Sequence, residues 1–131
     1  MKPIKHIDIQ KDMSADELVK AMSAAGVMGG GAIGKAADIL EKIFKDPECK
    51  IFFGVAGALV PGGMKNIIID ILNSGRISVF VTTGANLTHD IVEALGESHY
   101  VGHENMDDSK LQKEGYVRMF NSLMKNNVYE G

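Results

Sequence analysis

The sequence predicts an α/β chain, a parallel sheet with flanking helices. Three observations carry that reading. Residues 51 to 96 pass twice through an apolar strand-like run, a turn and a helix-like run. The strand runs, Lys50 to Phe53 and Ile77 to Thr82, are almost wholly apolar, the pattern of strands buried on both faces, and a parallel crossover of this length carries a helix. The first turn is rich in glycine and the second reads Thr-Thr-Gly-Ala-Asn, both at the carboxyl ends of strands, where α/β sheets collect ligands and helix N-termini favour anions. Together these describe a Rossmann-like half-domain.

With 131 residues the chain is expected to form one domain that buries roughly two-thirds of its unfolded surface. A formal net charge of −3 with scattered Lys and Arg argues against a nucleic-acid partner. Cys49 is the sole cysteine, which excludes an internal disulfide and fits a reducing, cytoplasmic setting. No apolar run approaches a membrane span, and the first residues have no apolar signal core, so a soluble, non-exported protein is expected.

Residues 1–47 read as an arm and two helices. Ile4, Ile7 and Ile9 suit a short edge strand or an extended arm after Pro3. Ser14 and Glu17 have capping-box spacing, so a helix is expected from there to Gly26, with Leu18, Met22 and Ala25 on one face. Gly29-Gly30-Gly31 follows a helix, not a strand, and reads as a flexible connector. Ile33, Ala36, Ala37, Leu40, Ile43 and Phe44 mark a second helix that stops before Asp46-Pro47.

Residues 48–96 hold the β-α-β-α unit, with helices expected from about Gly62 to Asn73 and about Thr88 to Leu95. Residues 97–131 form a mixed tail: Asp107-Asp108 caps a short helix ended by Gly115, and Phe120, Leu123 and Met124 face a core. Two strands, or three with the arm, are fewer than a usual sheet, so another chain or segment is expected to complete it.

Gly54, Gly57, Gly62 and Gly63 surround Ala58 and Pro61 in the first turn, but neither G-x-G-x-x-G nor a P-loop is matched; cofactor contact and a tight packing turn both fit. Pro61 suits a first helical position. The second turn gathers Thr82, Thr83, Gly84, Ala85, Asn86, Thr88, His89 and Asp90, more polar groups than a structural turn needs, and is the best site in the chain. Singly, Asn86 and Thr88 read as helix caps and Asp90 as a first-turn acid. His99 and His103 read as a solvated loop in preference to a metal pair, no metal site is expected, Cys49 is an inert thiol, and the eight methionines fill core gaps.

At Ala56 to Gly63 and Thr82 to Asp90 the sequence resembles deoxyhypusine synthase of the archaeal type, with A-G-A-x-x-P-G-G and T-T-G-A-N-x-x-H-D. The likeness extends to Lys2 through Ile7, His99-Tyr100, Asp107-Asp108, Leu111, Gly115, Arg118 and Tyr129-Glu130. The resemblance implies NAD-dependent transfer of the spermidine aminobutyl group, through an enzyme lysine, to a lysine of the translation factor precursor that carries hypusine. It implies that Gly57, Ala58, Leu59, Val60 and Pro61 lie along NAD with Thr83, Gly84 and Ala85, that His89 serves NAD and amine, and that Thr88 and Asp90 lie at the amine. Eukaryotic relatives carry carboxylates at the positions of Thr88 and His89.

The family's chains are much longer, and their lysine nucleophile lies in a carboxyl-terminal half that this sequence does not contain. The expectation is therefore an N-terminal, cofactor-side half, inactive alone and part of a homo- or hetero-oligomer. A regulatory or scaffold subunit of a complete synthase, and half of a homospermidine synthase-like enzyme, are the alternatives.

Overall fold

The computed structural model describes residues 1–129, and its contacts fall into two compact units, Met1–Cys49 and Lys50–Gly131. Of the segments in the resemblance, Glu130 lies outside the described residues.

In the first unit, residues 1–10 form no strand, and Ile4 and Ile9 are exposed. Helix α1 spans Ala15–Ala25 and begins at the capping box: Ser14 N–H donates to Glu17 Oε2 at 2.8 Å, and Glu17 N–H to Ser14 Oγ at 3.2 Å. It ends at Gly26, as its sequence predicts. Helix α2 spans Met28–Lys45 and takes in the glycine triplet, correcting the expectation of a flexible connector. The physical reason is close helix approach. A Cβ on Gly34 would lie 2.3 Å from the Ser23 backbone nitrogen, and one on Gly31 would lie 2.5 Å from the Gly26 carbonyl carbon. Glycine costs about 1 kcal/mol in a helix relative to alanine, and contact with α1 offsets it. Ser23 also donates its hydroxyl to Asp38. Ile33 and Leu40 stay exposed.

The second unit begins with β1 (Ile51–Val55), a turn through Val60–Met64, α3 (Lys65–Asn73), β2 (Ile77–Thr82) and α4 (Gly84–Ala94). β1 and β2 pair in parallel, with Phe53 opposite Phe80 and Val55 opposite Thr82. Only Val55 among their residues is buried, while Phe52 is 73% and Val81 58% exposed, so burial on both faces is not realised within the described residues. A two-stranded sheet cannot supply the neighbours that such faces need.

The tail adds a second, antiparallel sheet that the sequence reading did not resolve. Its strands are β3 (Tyr100–Val101), β4 (Tyr116–Met119) and β5 (Ser122–Lys125), in the order β3-β5-β4. Helix α5 (Asp108–Lys113) is capped by Asp107, which accepts from Ser109 N–H at 2.9 Å. Leu111, Leu123 and Met124 form the small core here. Phe120 does not join them: it sits at the β4–β5 turn with φ +57° and is 71% exposed. Met124 is the methionine that fills a core gap completely, whereas Met1, Met28 and Met64 are exposed. No helix among the described residues is long and apolar enough to cross a membrane.

Candidate functional site

The site is built where β1 and β2 end. After Val55 the chain turns through exposed Gly57, Ala58 and Leu59, then anchors on buried Val60, with Pro61 in the first turn that follows. Gly62 N–H donates to Ala58 O at 3.0 Å and Met64 N–H to Leu59 O at 3.0 Å, closing a wide turn that leads into α3. Cβ atoms built on Gly57, Gly62, Gly63 or Gly84 would meet nothing within 4 Å, so open space stands over both turns.

At the second turn, Thr83 is extended (φ −85°, ψ 152°) and α4 starts at Gly84, ahead of the expected start near Thr88. That corrects three local readings. Thr88 lies inside the helix and donates its hydroxyl to Gly84 O at 3.0 Å instead of capping. Asn86 is 4% exposed and reaches Thr82 Oγ1 with Nδ2 at 3.4 Å. Asp90 lies beyond the first turn and pairs with Lys65 of α3 at 2.9 Å. Thr83 makes no side-chain cap bond, so no side chain covers the positive end of α4.

The Val60–Met64 turn packs on α4, which brings the two turns together. Between α3, α4 and the sheet lies a cleft of ≈ 100 Å³, lined by Val55, Val60, Ile68, Phe80, Asn86 and Asp90 among others. Asn86 Oδ1 is buried here without a hydrogen-bond partner. An orphaned acceptor of this kind calls for a hydrogen-bond donor.

His89 is 6% exposed and faces a polar chain that the sequence reading missed. Its Nδ1 lies 3.1 Å from His99 Nε2, and His99 Nδ1 lies 2.8 Å from Glu93 Oε1. Glu93 Oε2 in turn lies 3.2 Å from Lys65 Nζ. The His99 side chain, 6% exposed, is thus not in a solvated loop; His103 is exposed, as expected. Burial, with His99 adding to it, pushes the His89 imidazole below its ordinary value. Burial works to raise the Glu93 carboxyl, but hydrogen bonds from His99 and Lys65 leave it lowered. The bond to Asp90 holds the Lys65 ammonium above its ordinary value, with Glu93 assisting. Helical i, i+4 spacing of His89 and Glu93 was readable, whereas nothing local marked His99 or Lys65. Among the described residues no group of three or more His, Cys, Asp or Glu could hold a metal ion.

The sequence model of one family, described as Deoxyhypusine synthase, matches residues 17–131. The chain belongs to the deoxyhypusine synthase family. It is 41% identical over 127 residues to a probable deoxyhypusine synthase of Methanothermobacter thermautotrophicus, covering 97% of this chain and 41% of that one. A probable deoxyhypusine synthase of Methanosarcina thermophila is 42% identical over 118 residues, covering 90% and 37%. Probable deoxyhypusine synthase 1 of Archaeoglobus fulgidus is 34% identical over 123 residues, covering 94% and 40%. The chain therefore spans well under half the length of these relatives in the deoxyhypusine synthase family.

Proposed function

We propose that this chain is the N-terminal, NAD-side portion of a deoxyhypusine synthase that moves the spermidine aminobutyl group to a lysine of a translation factor precursor. The observation that carries it is the pair of turns at the carboxyl ends of adjacent parallel strands, with open space over their glycines and a helix N-terminus that no side chain caps. Gly57 through Pro61 and Thr83 through Ala85 would hold the cofactor: their backbone can approach a pyrophosphate closely. The unpartnered Asn86 Oδ1 can accept an N–H, which an amide or an amine provides.

When bound, NAD supplies the hydride-accepting chemistry that amine oxidation requires. Val60 and Phe80 give the cleft an apolar wall, and His89, Thr88 and Asp90 are assigned to the amine end. The lysine nucleophile and the strands that cover Phe52 and Val81 come from the remaining part of the synthase, as a separate chain or as further sequence, in an oligomer of cytoplasmic setting. Lys65, tied to two acids, is held as an ammonium and is a poor nucleophile.

The test is reconstitution with the complementary portion of the Methanothermobacter relative, followed by spermidine-dependent NADH formation. Activity that requires both portions and is abolished by Gly57→Val supports the reading. A soluble complex that forms no NADH, or one indifferent to Gly57→Val, overturns it.

A further inference from the structure

We infer that Glu93 and His99 are positioning residues that fix His89 as a neutral imidazole with its proton on Nδ1, leaving Nε2 an unprotonated hydrogen-bond acceptor for a protonated amine. The inference rests on the proposed reading only for the identity of that amine. With both rings neutral, the tautomer follows from the geometry.

The Glu93 carboxylate can only accept, so the 2.8 Å contact requires the proton of His99 to sit on Nδ1. With both rings neutral, His99 Nε2 is then a lone pair. The 3.1 Å contact from that nitrogen to His89 Nδ1 can be a hydrogen bond only if His89 Nδ1 carries the proton. His89 Nε2 is left bare. Burial keeps His89 from taking a second proton, in line with its lowered affinity for one. The charged and titratable groups bearing on the ring are His99 from the segment between α4 and β3, Glu93 on α4 itself, and Lys65 of α3, whose ammonium also binds Asp90. Lys65 lies on the opposite carboxylate oxygen from His99, so each Glu93 oxygen has its own donor.

The local fold is arranged for this contact. Glu93 lies one helical turn beyond His89, and the helix is ended by Gly96 with φ +91°, a conformation that other residues adopt only at a cost. Glu97 N–H then donates to Val92 O at 3.2 Å, turning the chain back so that His99 reaches both His89 and Glu93. The two imidazoles meet edge to face, with centroids 5.1 Å apart. A bare Nε2 suits a ligand ammonium and opposes a ligand carbonyl, which matches a cationic aliphatic amine at this end of the site.

The experiment is a long-range proton–nitrogen correlation spectrum of the full chain carrying isotope-labelled histidine, at a pH well above the ordinary imidazole value of about 6.5. The expected result is His89 as the Nδ1–H form, with exposed His6 and His103 as internal references. His99→Phe, which keeps a ring but removes the acceptor, should shift His89 towards the Nε2–H form. Glu93→Gln keeps a carbonyl acceptor and should retain the wild-type pattern, whereas Glu93→Ala should lose it. An Nε2–H or doubly protonated His89 in the wild type overturns the inference, and so does an unchanged Nδ1–H pattern in folded His99→Phe. If His99→Phe does not fold, the wild-type spectrum decides alone. NADH formation plays no part in this readout, so failure of the transfer reading and failure of the tautomer assignment are separable.

Discussion

Lys65 and Asp90 form a 2.9 Å ion pair from α3 to α4, so the acid that the sequence assigns to the amine end already has a cation against it. A substrate ammonium must share Asp90 with Lys65 or displace it.

Replacing Lys65 with Met removes a hydrogen bond from both acids. The Glu93 carboxyl should rise towards its ordinary value, read by an NMR titration of its side-chain carbon. The Asp90 side chain is half exposed, so solvent screening limits the loss of stability to no more than about 1 kcal/mol in chemical denaturation. An unchanged Glu93 titration would show that Lys65 does not act on it.

Stability should depend on pH through His89. Its native proton affinity is below the ordinary value, so the unfolded chain takes up a proton first as pH falls. The contribution is fully present above the ordinary imidazole range near about 6.5 and is lost as pH falls through the lower native value. Thermal melts of wild type and His89→Gln across that window should converge on acidification. Parallel curves would remove His89 as the source.

Gly34→Ala should destabilise the α1–α2 unit by about 1–3 kcal/mol or more, because its Cβ would fall 2.3 Å from backbone that cannot yield without moving α1. Gly29→Ala is the matched control. Its Cβ meets nothing within 4 Å, so it should be neutral or stabilise by up to about 1 kcal/mol. Denaturation midpoints of the two variants should lie on opposite sides of the wild type, or with Gly29→Ala unchanged.

Incubation of this chain alone with spermidine, NAD and borohydride should yield no aminobutyl adduct by mass spectrometry. The ammonium of Lys65 is held by Asp90 and Glu93, and an ordinary lysine has a reference pKa of about 10.4. A reproducible adduct on any lysine of the chain would contradict the assignment of the nucleophile to the remaining portion.

The features legible in the sequence are those whose cause is local. Ser14 and Glu17 cap each other within one turn, and Asp107 caps α5 by the same short-range logic. Parallel pairing of Ile51–Val55 with Ile77–Thr82 followed from apolar runs spaced by a crossover helix. Gly29 through Gly31 were misread as a connector although they open α2; close backbone approach explains Gly31, whose Cβ would fall 2.5 Å from Gly26, and no contact of this kind explains Gly29. The start of α4 was placed late because Thr83 caps it with extended backbone and no side-chain bond, whereas Asn86 and Thr88 look like caps and are not. His99 entered the site only through the reversal at Gly96, a tertiary event.

The close seat of α2 on α1 also bears on the order in which the chain acquires structure. The two helices are joined through Gly26 and Val27 alone, so their contacts need almost no loop closure and can form on the microsecond scale of local events. The β1–β2 ladder must wait for an intervening turn and helix to shorten the path between Ile51 and Ile77. During that interval Phe52 and Val81 belong to unpaired chain, and chaperones would engage a nascent polypeptide through this stretch in preference to the glycine-seated hairpin.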